Sequence, residues 1–370
     1  MRFDKRTYDA WLASAELPYD SLIPLLHGLK GSQEIHSAWM DPEEPLFQMI
    51  PPNCRKRLSE TADDDHLAVL QAQMQQGAIQ SITIEEADYP QCLRNIPDPP
   101  GILFLQGDPD CLIKPRKAAV IGSRNATRAG ILATGRIAEE LSRNGVTIVS
   151  GLAFGIDAES HRGCLKGKSP TIAVMGCGLD RTYPVQNEKL KNEILENGGL
   201  VLSEYAPGTL PLGYHFPYRN RLISGLSDVV ILMEAKIRSG SMTTVGHALK
   251  QGKEVYAYPG DPLSRMSEGN RLLLREGARY FTEAAEILED MNWLDNLPLI
   301  LQNSDCSAKP VSSDPAEQAI RAALEKGTLG FDELQQTTGM TPSALMSALT
   351  VMQIKKMIDP LPGKRYQLKT

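Results

Sequence analysis

Several short segments of this 370-residue chain carry side chains able to hold an anion or stack on a flat ring, each where a β-branched run gives way to a helical stretch. Gly122-Ser123-Arg124-Asn125 is the first. Glycine lets the backbone come close to a ligand, amides entering a helix favour negative charge, and arginine adds a permanent planar cation suited to a phosphate or a base face. Ser150 and Gly151 begin the second, which runs to Gly155-Ile156-Asp157 with His161 beyond it, and again suits phosphate contact. Gly176-Cys177-Gly178 leads to Tyr183-Pro184 and Asn187, where Tyr183 either stacks on a base or packs before a proline turn. Phe216-Pro217-Tyr218-Arg219-Asn220-Arg221 is the most telling segment, since arginine offers phosphate contacts and cation–π stacking while asparagine can bond a base edge or the backbone. One of Arg219 and Arg221 can instead be structural, paired to Asp228 or Glu234, and the sequence leaves open which. Ser239-Gly240-Ser241 opens a further helix as another nest of amides. So many anion-ready loops exceed what one nucleotide needs; they fit a groove that tracks several phosphates.

Catalysis is weakly supported. Asp157 and His161 lie four apart on one helix face and could be read as an acid–base pair. The plainer account has Asp157 capping the helix and holding His161 in place. No serine, cysteine or threonine nucleophile with a plausible base accompanies them, so no catalytic residue is assigned. No G-x-G-x-x-G is present and no acid ends the second strand, which argues against a dinucleotide cofactor. The six cysteines, at 54, 92, 111, 164, 177 and 306, form no Cys-x-x-Cys pair, so neither a metal site nor a disulfide framework is expected, only buried free thiols.

The elements that must position these residues follow from the apolar pattern. Residues 1–78 read as short helices broken by Pro18, Pro24, Pro42, Pro45, Pro51 and Pro52. Leu25 to Ser32 can turn a hairpin that loosely resembles a helix-hairpin-helix loop, with a merely structural turn preferred. Between 79 and 291, six apolar runs (118–121, 146–149, 171–175, 200–202, 229–232 and 255–258) alternate with helical stretches. Continuous apolar strands separated by helices predict an α/β fold, an extended Rossmann-like doubly wound parallel sheet covered on both faces. Ligands bind such sheets at the carboxyl ends of the strands, where the loops above lie. Residues 292–313 read as a linker, and 314–370 as three helices and a basic hairpin, a small winged-helix-like domain whose third helix starts at Thr341-Pro342 and whose wing strand is 363–368.

The formal net charge is -6, yet nucleic-acid binding needs only a local basic strip. No apolar run approaches a transmembrane helix and the N-terminal residues lack a signal-peptide pattern, so a cytoplasmic protein without membrane partners is expected.

With Tyr89-Pro90, Asp98-Pro99-Pro100, Gly122-Ser123-Arg124, Ser150-Gly151-Leu152-Ala153, Gly155-Ile156-Asp157 and His161, Tyr183-Pro184, Ser203-Glu204, Phe216-Pro217 with Arg219-Asn220-Arg221, Glu234-Ala235, Ser239-Gly240-Ser241 and Pro259-Gly260 in this order, residues 85–285 resemble the DprA/Smf (DNA-processing protein A) family. The resemblance implies a homodimer that binds single-stranded DNA and helps load the RecA recombinase during natural transformation, with no metal, cofactor or catalytic turnover. It also implies that Gly122, Ser123 and Arg124 hold the DNA backbone or a base, with Arg219 to Arg221 near the same groove. Gln186 stands where some relatives place a lysine, which removes one basic contact.

Two other functions compete. Nucleotide phosphoribohydrolases use a similar sheet, but their Pro-Gly-Gly-x-Gly-Thr signature is broken here by Pro259-Gly260-Asp261-Pro262. Alternatively the C-terminal domain, with Lys355, Lys356, Lys364, Arg365 and Lys369, is the main DNA reader; a chain cut after about residue 300 separates that view from the first.

Overall fold

The computed structural model describes residues 3–39, 45–294, 315–324, 327–354, 357–361 and 365–368. Helices α1 (Lys5–Ser14), α2 (Tyr19–Leu29), α3 (Ser32–Trp39), α4 (Pro52–Glu60) and α5 (Asp64–Gln76) come first. Pro24 lies inside α2 rather than breaking it, a correction to the sequence reading; α2 ends instead at Lys30, in the left-handed region, which turns the chain into α3. Then follow β1 (Gln80–Thr83), α6 (Gln91–Arg94), β2 (Ile102–Gly107), β3 (Lys117–Gly122), α7 (Arg128–Arg143), β4 (Thr147–Ser150), α8 (Ile156–Leu165), β5 (Thr171–Val174), α9 (Glu188–Glu196) and β6 (Leu200–Ser203). The sheet unit finishes with α10 (His215–Leu226), β7 (Val229–Glu234), α11 (Gly240–Lys250), β8 (Glu254–Ala257), α12 (Glu268–Arg275), β9 (Arg279–Tyr280) and α13 (Ala284–Asp290).

The described strands form a nine-stranded sheet ordered β1-β2-β6-β5-β4-β3-β7-β8-β9. From β6 to β9 all neighbours are parallel, whereas β2 runs antiparallel to β6 and β1 antiparallel to β2. The six apolar runs are the central strands. Their side chains alternate between faces: Ala118 and Val120 of β3 pack with Ile137 and Leu141 of α7, while Ala119 and Ile121 join the core that includes Leu222 and Ile223 of α10. Burial on both faces is why these runs read as continuously apolar. The strand order reverses at β3, whose neighbours are β4 and β7, so the loops after β3 and β7 diverge there and leave a crevice.

Contacts divide the chain into Met1–Asp295 and Asn296–Thr370. Within the first unit the helices before β1 share a core with the sheet, and the buried carboxylate of Asp9 on α1 accepts from Ser81 Oγ of β1 at 2.6 Å. The second unit holds α14 (Pro315–Leu324), β10 (Leu329–Gly330), α15 (Phe331–Thr338), α16 (Pro342–Ile354), β11 (Ile358–Leu361) and β12 (Arg365–Leu368). Its strands pair antiparallel in the order β10-β12-β11, and Ile320, Leu334, Leu345 and Leu349 fill its own core; three helices and a wing make it a winged helix. Of the expected linker, 292–313, residues 295–313 lie outside the described residues, as do Lys355, Lys356, Gly363, Lys364 and Lys369; Cys306 falls within that span. Cys54, Cys111, Cys164 and Cys177 are buried free thiols, while Cys92 is half-buried. Among the described residues, no helix is long and apolar enough to cross a membrane.

Candidate nucleic-acid interface

The crevice at the switch point is a cleft of about 610 Å³. Its floor is the loop after β3. Gly122 pairs with Glu234 at the end of β7, and Ser123 N donates to the Glu234 carbonyl at 2.7 Å. A Cβ on Gly122 would meet Ile156 at 2.5 Å, so glycine is what lets α8 close against this loop. Gly155, with φ of 74°, packs its backbone onto the Ser123 and Arg124 carbonyls, at a distance no side chain would allow. The Glu234 carboxylate accepts from Thr127 N at 2.7 Å and Thr127 Oγ1 at 2.9 Å, fixing where the loop enters α7. Glu234 is therefore not an arginine partner, as one sequence reading had it.

Arg124 is left exposed above this floor, its guanidinium 5.5 Å from the centre of the Phe216 ring. Phe216 in turn lies 5.2 Å from Tyr183, the rings tilted by 34°. The three side chains form one stacked ledge, and Tyr183 is 40% exposed at its end. Beneath the ledge a recess of about 100 Å³ is bounded by Gly151, Ala153 and by Phe154, which is 42% exposed. On the opposite side α11 points its first turn at the cleft: Ser239 and Gly240 line it, Ser241 Oγ donates to the Gly122 carbonyl at 2.7 Å, and Asn220 Nδ2 donates to the Gly240 carbonyl at 3.2 Å.

Charge in the lining is positive although the chain is acidic: Arg124, Arg219 and Lys236 stand against one carboxylate, Asp157. Arg219 is only 4% exposed and donates to the carbonyls of Gly151, at 3.2 Å, and Val174. Burial pushes the Asp157 carboxyl above the ordinary carboxylate range, and the Arg219 charge opposes that shift. Lys236 is exposed and was passed over in the sequence, where it is a lone lysine two residues beyond an apolar strand; only the switch-point geometry singles it out.

The structure thus brings together Gly122, Ser123, Arg124, Tyr183, Arg219, Asn220, Ser239, Gly240 and Ser241, with Gly151 in the adjoining recess. Three expected site residues are turned elsewhere. Ser150 is buried and donates to the Val120 carbonyl at 2.7 Å, cross-linking β4 to β3. Asn187 is buried and donates to the Leu152 carbonyl at 2.8 Å, holding the loop after β4. Arg221 is on the other side of α10, 3% exposed, paired through both terminal nitrogens to Glu204 at 2.7 and 2.6 Å. Neither arginine pairs with Asp228, whose carboxylate instead accepts from Lys117 N at 2.8 Å.

The acid–base reading of Asp157 and His161 fails on geometry, and so does the capping account. The N-cap of α8 is Gly155, and the His161 imidazole is bonded through Nδ1 to Thr171 Oγ1 at 2.7 Å, away from Asp157. Because Thr171 Oγ1 gives its own proton to the Ile148 carbonyl, His161 Nδ1–H is the donor. Burial lowers this imidazole from 6.5 to about 3. The unfolded chain then takes up a proton that the folded one refuses, so this stability is fully present above pH 6.5 and is lost as pH falls from there towards 3. By pH 5 the loss should reach about 2 kcal/mol. Urea unfolding at pH 7 and pH 5 reads it, and a His161→Gln variant should lack that share of the fall; an identical fall in both proteins would refute the assignment.

Comparison with known proteins agrees with this geometry. The family described as DNA recombination-mediator protein A matches residues 80–292, and the DprA winged helix domain matches residues 306–364. The DNA processing protein DprA of Bacillus subtilis is 41% identical over 223 residues, 60% of this chain and 74% of that protein. The X-ray structure of DNA processing protein A from Streptococcus pneumoniae superimposes with a TM-score of 0.65 at 34% identity, covering 78% of this chain and 98% of that one. The Helicobacter pylori protein, whose structure was described for its single-stranded DNA binding mode, gives 0.52 at 36% identity over 58% of this chain and 96% of that one. The matched span runs from β1 through α13 and contains every residue of the cleft, so the chain belongs to the DNA recombination-mediator protein A (DprA/Smf) family.

Proposed function

We propose that this chain binds single-stranded DNA in the switch-point cleft without catalytic turnover. The observation that carries the reading is the stacked ledge of Arg124, Phe216 and Tyr183 beside the helix start at Ser239-Gly240-Ser241. A flat, sequence-tolerant stacking surface next to backbone amides and two exposed cations, Arg124 and Lys236, matches unpaired bases joined by phosphates. Duplex DNA has its bases stacked already and offers the ledge nothing. Gly122, Ser123, Arg124, Tyr183, Asn220 and the Ser239–Ser241 turn are the contacts; Arg219 shapes the floor and adds its field from below. The Helicobacter pylori relative's single-stranded DNA binding supports the same assignment.

The cleft's carboxylate, Asp157, is buried beside Arg219, a poor position for the acid of a phosphoribohydrolase, and incubation with nucleoside monophosphates should release no free base. The family resemblance extends the proposal to a cytoplasmic homodimer that protects incoming DNA and helps load RecA recombinase in natural transformation.

The deciding experiment titrates the full chain with one oligonucleotide, single-stranded and as duplex, at several salt concentrations. Single strands should bind at least about tenfold more tightly, and log affinity should fall with log salt at a slope of about −1.4 or steeper, from two released phosphate contacts at about 0.7 each. Equal affinity for the two forms, or indifference to salt, would remove the cleft from the argument.

A further inference from the structure

A second cavity, of about 230 Å³, opens on the far side of α10 and shares no lining residue with the DNA cleft. Motif residues without a place in that cleft meet here: Asp98, Pro99 and Pro100, Glu204 and Arg221. Arg221 is fully engaged, by Glu204, by the Asp98 carbonyl at 2.9 Å, and by the Tyr218 ring, whose centre is 3.8 Å from its guanidinium. The Asp98 carboxylate accepts from Tyr218 Oη at 2.6 Å. The walls are therefore built and held.

One group in this cavity is unsatisfied. His215 is 1% exposed, and neither ring nitrogen has a hydrogen-bond partner. Tyr205 stacks on the ring at 4.0 Å and Tyr214 meets it edge-on at 4.5 Å, which fixes its orientation. Glu16 Oε1 lies 3.7 Å from His215 Nε2, too far for a hydrogen bond, while Glu16 Oε2 faces Arg57 at 3.4 Å. Glu16 and His215 thus both line the cavity, with the imidazole left unpartnered behind its wall.

We propose that this cavity receives a guanidinium group. Its lining sets three carboxylates, Glu16, Asp98 and Glu204, against the single guanidinium of Arg221, so an anion is disfavoured. A neutral apolar occupant would leave the buried imidazole without a partner, which costs free energy. A guanidinium N–H pair would donate to Glu16 Oε1 and to a ring nitrogen of His215. The planar cation also suits the aromatic lining, since Tyr214 and Tyr218 are 62% and 41% exposed there. The occupant is either a free small guanidinium compound or an arginine side chain of a protein partner.

The test is calorimetric titration of the full chain with agmatine, with the blocked tripeptide Gly-Arg-Gly, and with the same tripeptide carrying citrulline, which keeps the shape and removes the charge. Saturable binding of agmatine alone supports a small-molecule ligand; equal or tighter binding of the arginine tripeptide supports a protein side chain. Either should be about tenfold tighter than citrulline and should weaken at least about fivefold in E16Q. Because E16Q also loosens Arg57, the exposed variant Y214A serves as a second probe and should weaken binding without unfolding the chain. Single-stranded DNA affinity should be unchanged in both variants, since the cleft is separate. No saturable binding, citrulline binding as tightly as arginine, or binding indifferent to both E16Q and Y214A would overturn the proposal.

Discussion

Replacing Arg221 with alanine should cost the sheet unit about 3–5 kcal/mol of stability. The guanidinium is 3% exposed and holds both carboxylate oxygens of Glu204 together with the Asp98 carbonyl. Burial alone would lower its pKa; Glu204 more than reverses that, so the guanidinium is held charged in the folded state. Removing one partner leaves Glu204 buried without a counter-charge, and that desolvated carboxylate is the source of the penalty. A double replacement, Arg221→Met with Glu204→Leu, removes both charges and should recover most of the loss. Urea unfolding of the parent, Arg221→Met, Glu204→Leu and the double variant gives the coupling directly. Were the single and double variants equally destabilised, the pair would not be the cause. Single-strand affinity of whatever fraction folds should match the parent, because Arg221 faces away from the cleft.

Arg124→Glu should have the opposite profile, a normal unfolding curve and about 100-fold weaker binding of single-stranded DNA, or about 2.7 kcal/mol. Arg124 is exposed and supports no buried contact, so folding should not register the change. Binding loses a phosphate contact and the cation stacked on Phe216, and gains a like charge facing the backbone. Arg124→Lys should fall between, since it keeps the charge and loses the planar face. The salt slope of the Glu variant should become shallower by about 0.7 or more. A Glu variant within about threefold of the parent would take Arg124 out of the interface and the ledge with it.

The two arginines of one hexapeptide-long motif make a useful contrast. From spacing alone, Arg219, Asn220 and Arg221 are equivalent polar residues after two aromatics. On α10 they are about 100° apart, and the two arginines fall on different walls. Arg219 lines the switch-point cleft, Asn220 ties α10 to α11, and Arg221 closes an ion pair beside the second cavity. Ser150 and Asn187 follow the same logic: their types suit a phosphate, yet backbone carbonyls lie nearer and claim them.

What the sequence determined by itself is the architecture of the central sheet. Six apolar runs, four of them closed directly by glycine or serine, are sufficient to specify a doubly wound sheet and the rim where its anion-ready loops gather, because both are consequences of local period and turn chemistry. It did not reveal β1 and β9, short strands at the two edges of the sheet, nor β2, an apolar run paired antiparallel to β1 and β6, nor Lys236, Phe154 and the His215 cavity. Those depend on which of many polar groups the packed backbone leaves without a partner. That is a property of distances between residues far apart in the chain, and only the tertiary structure fixes it.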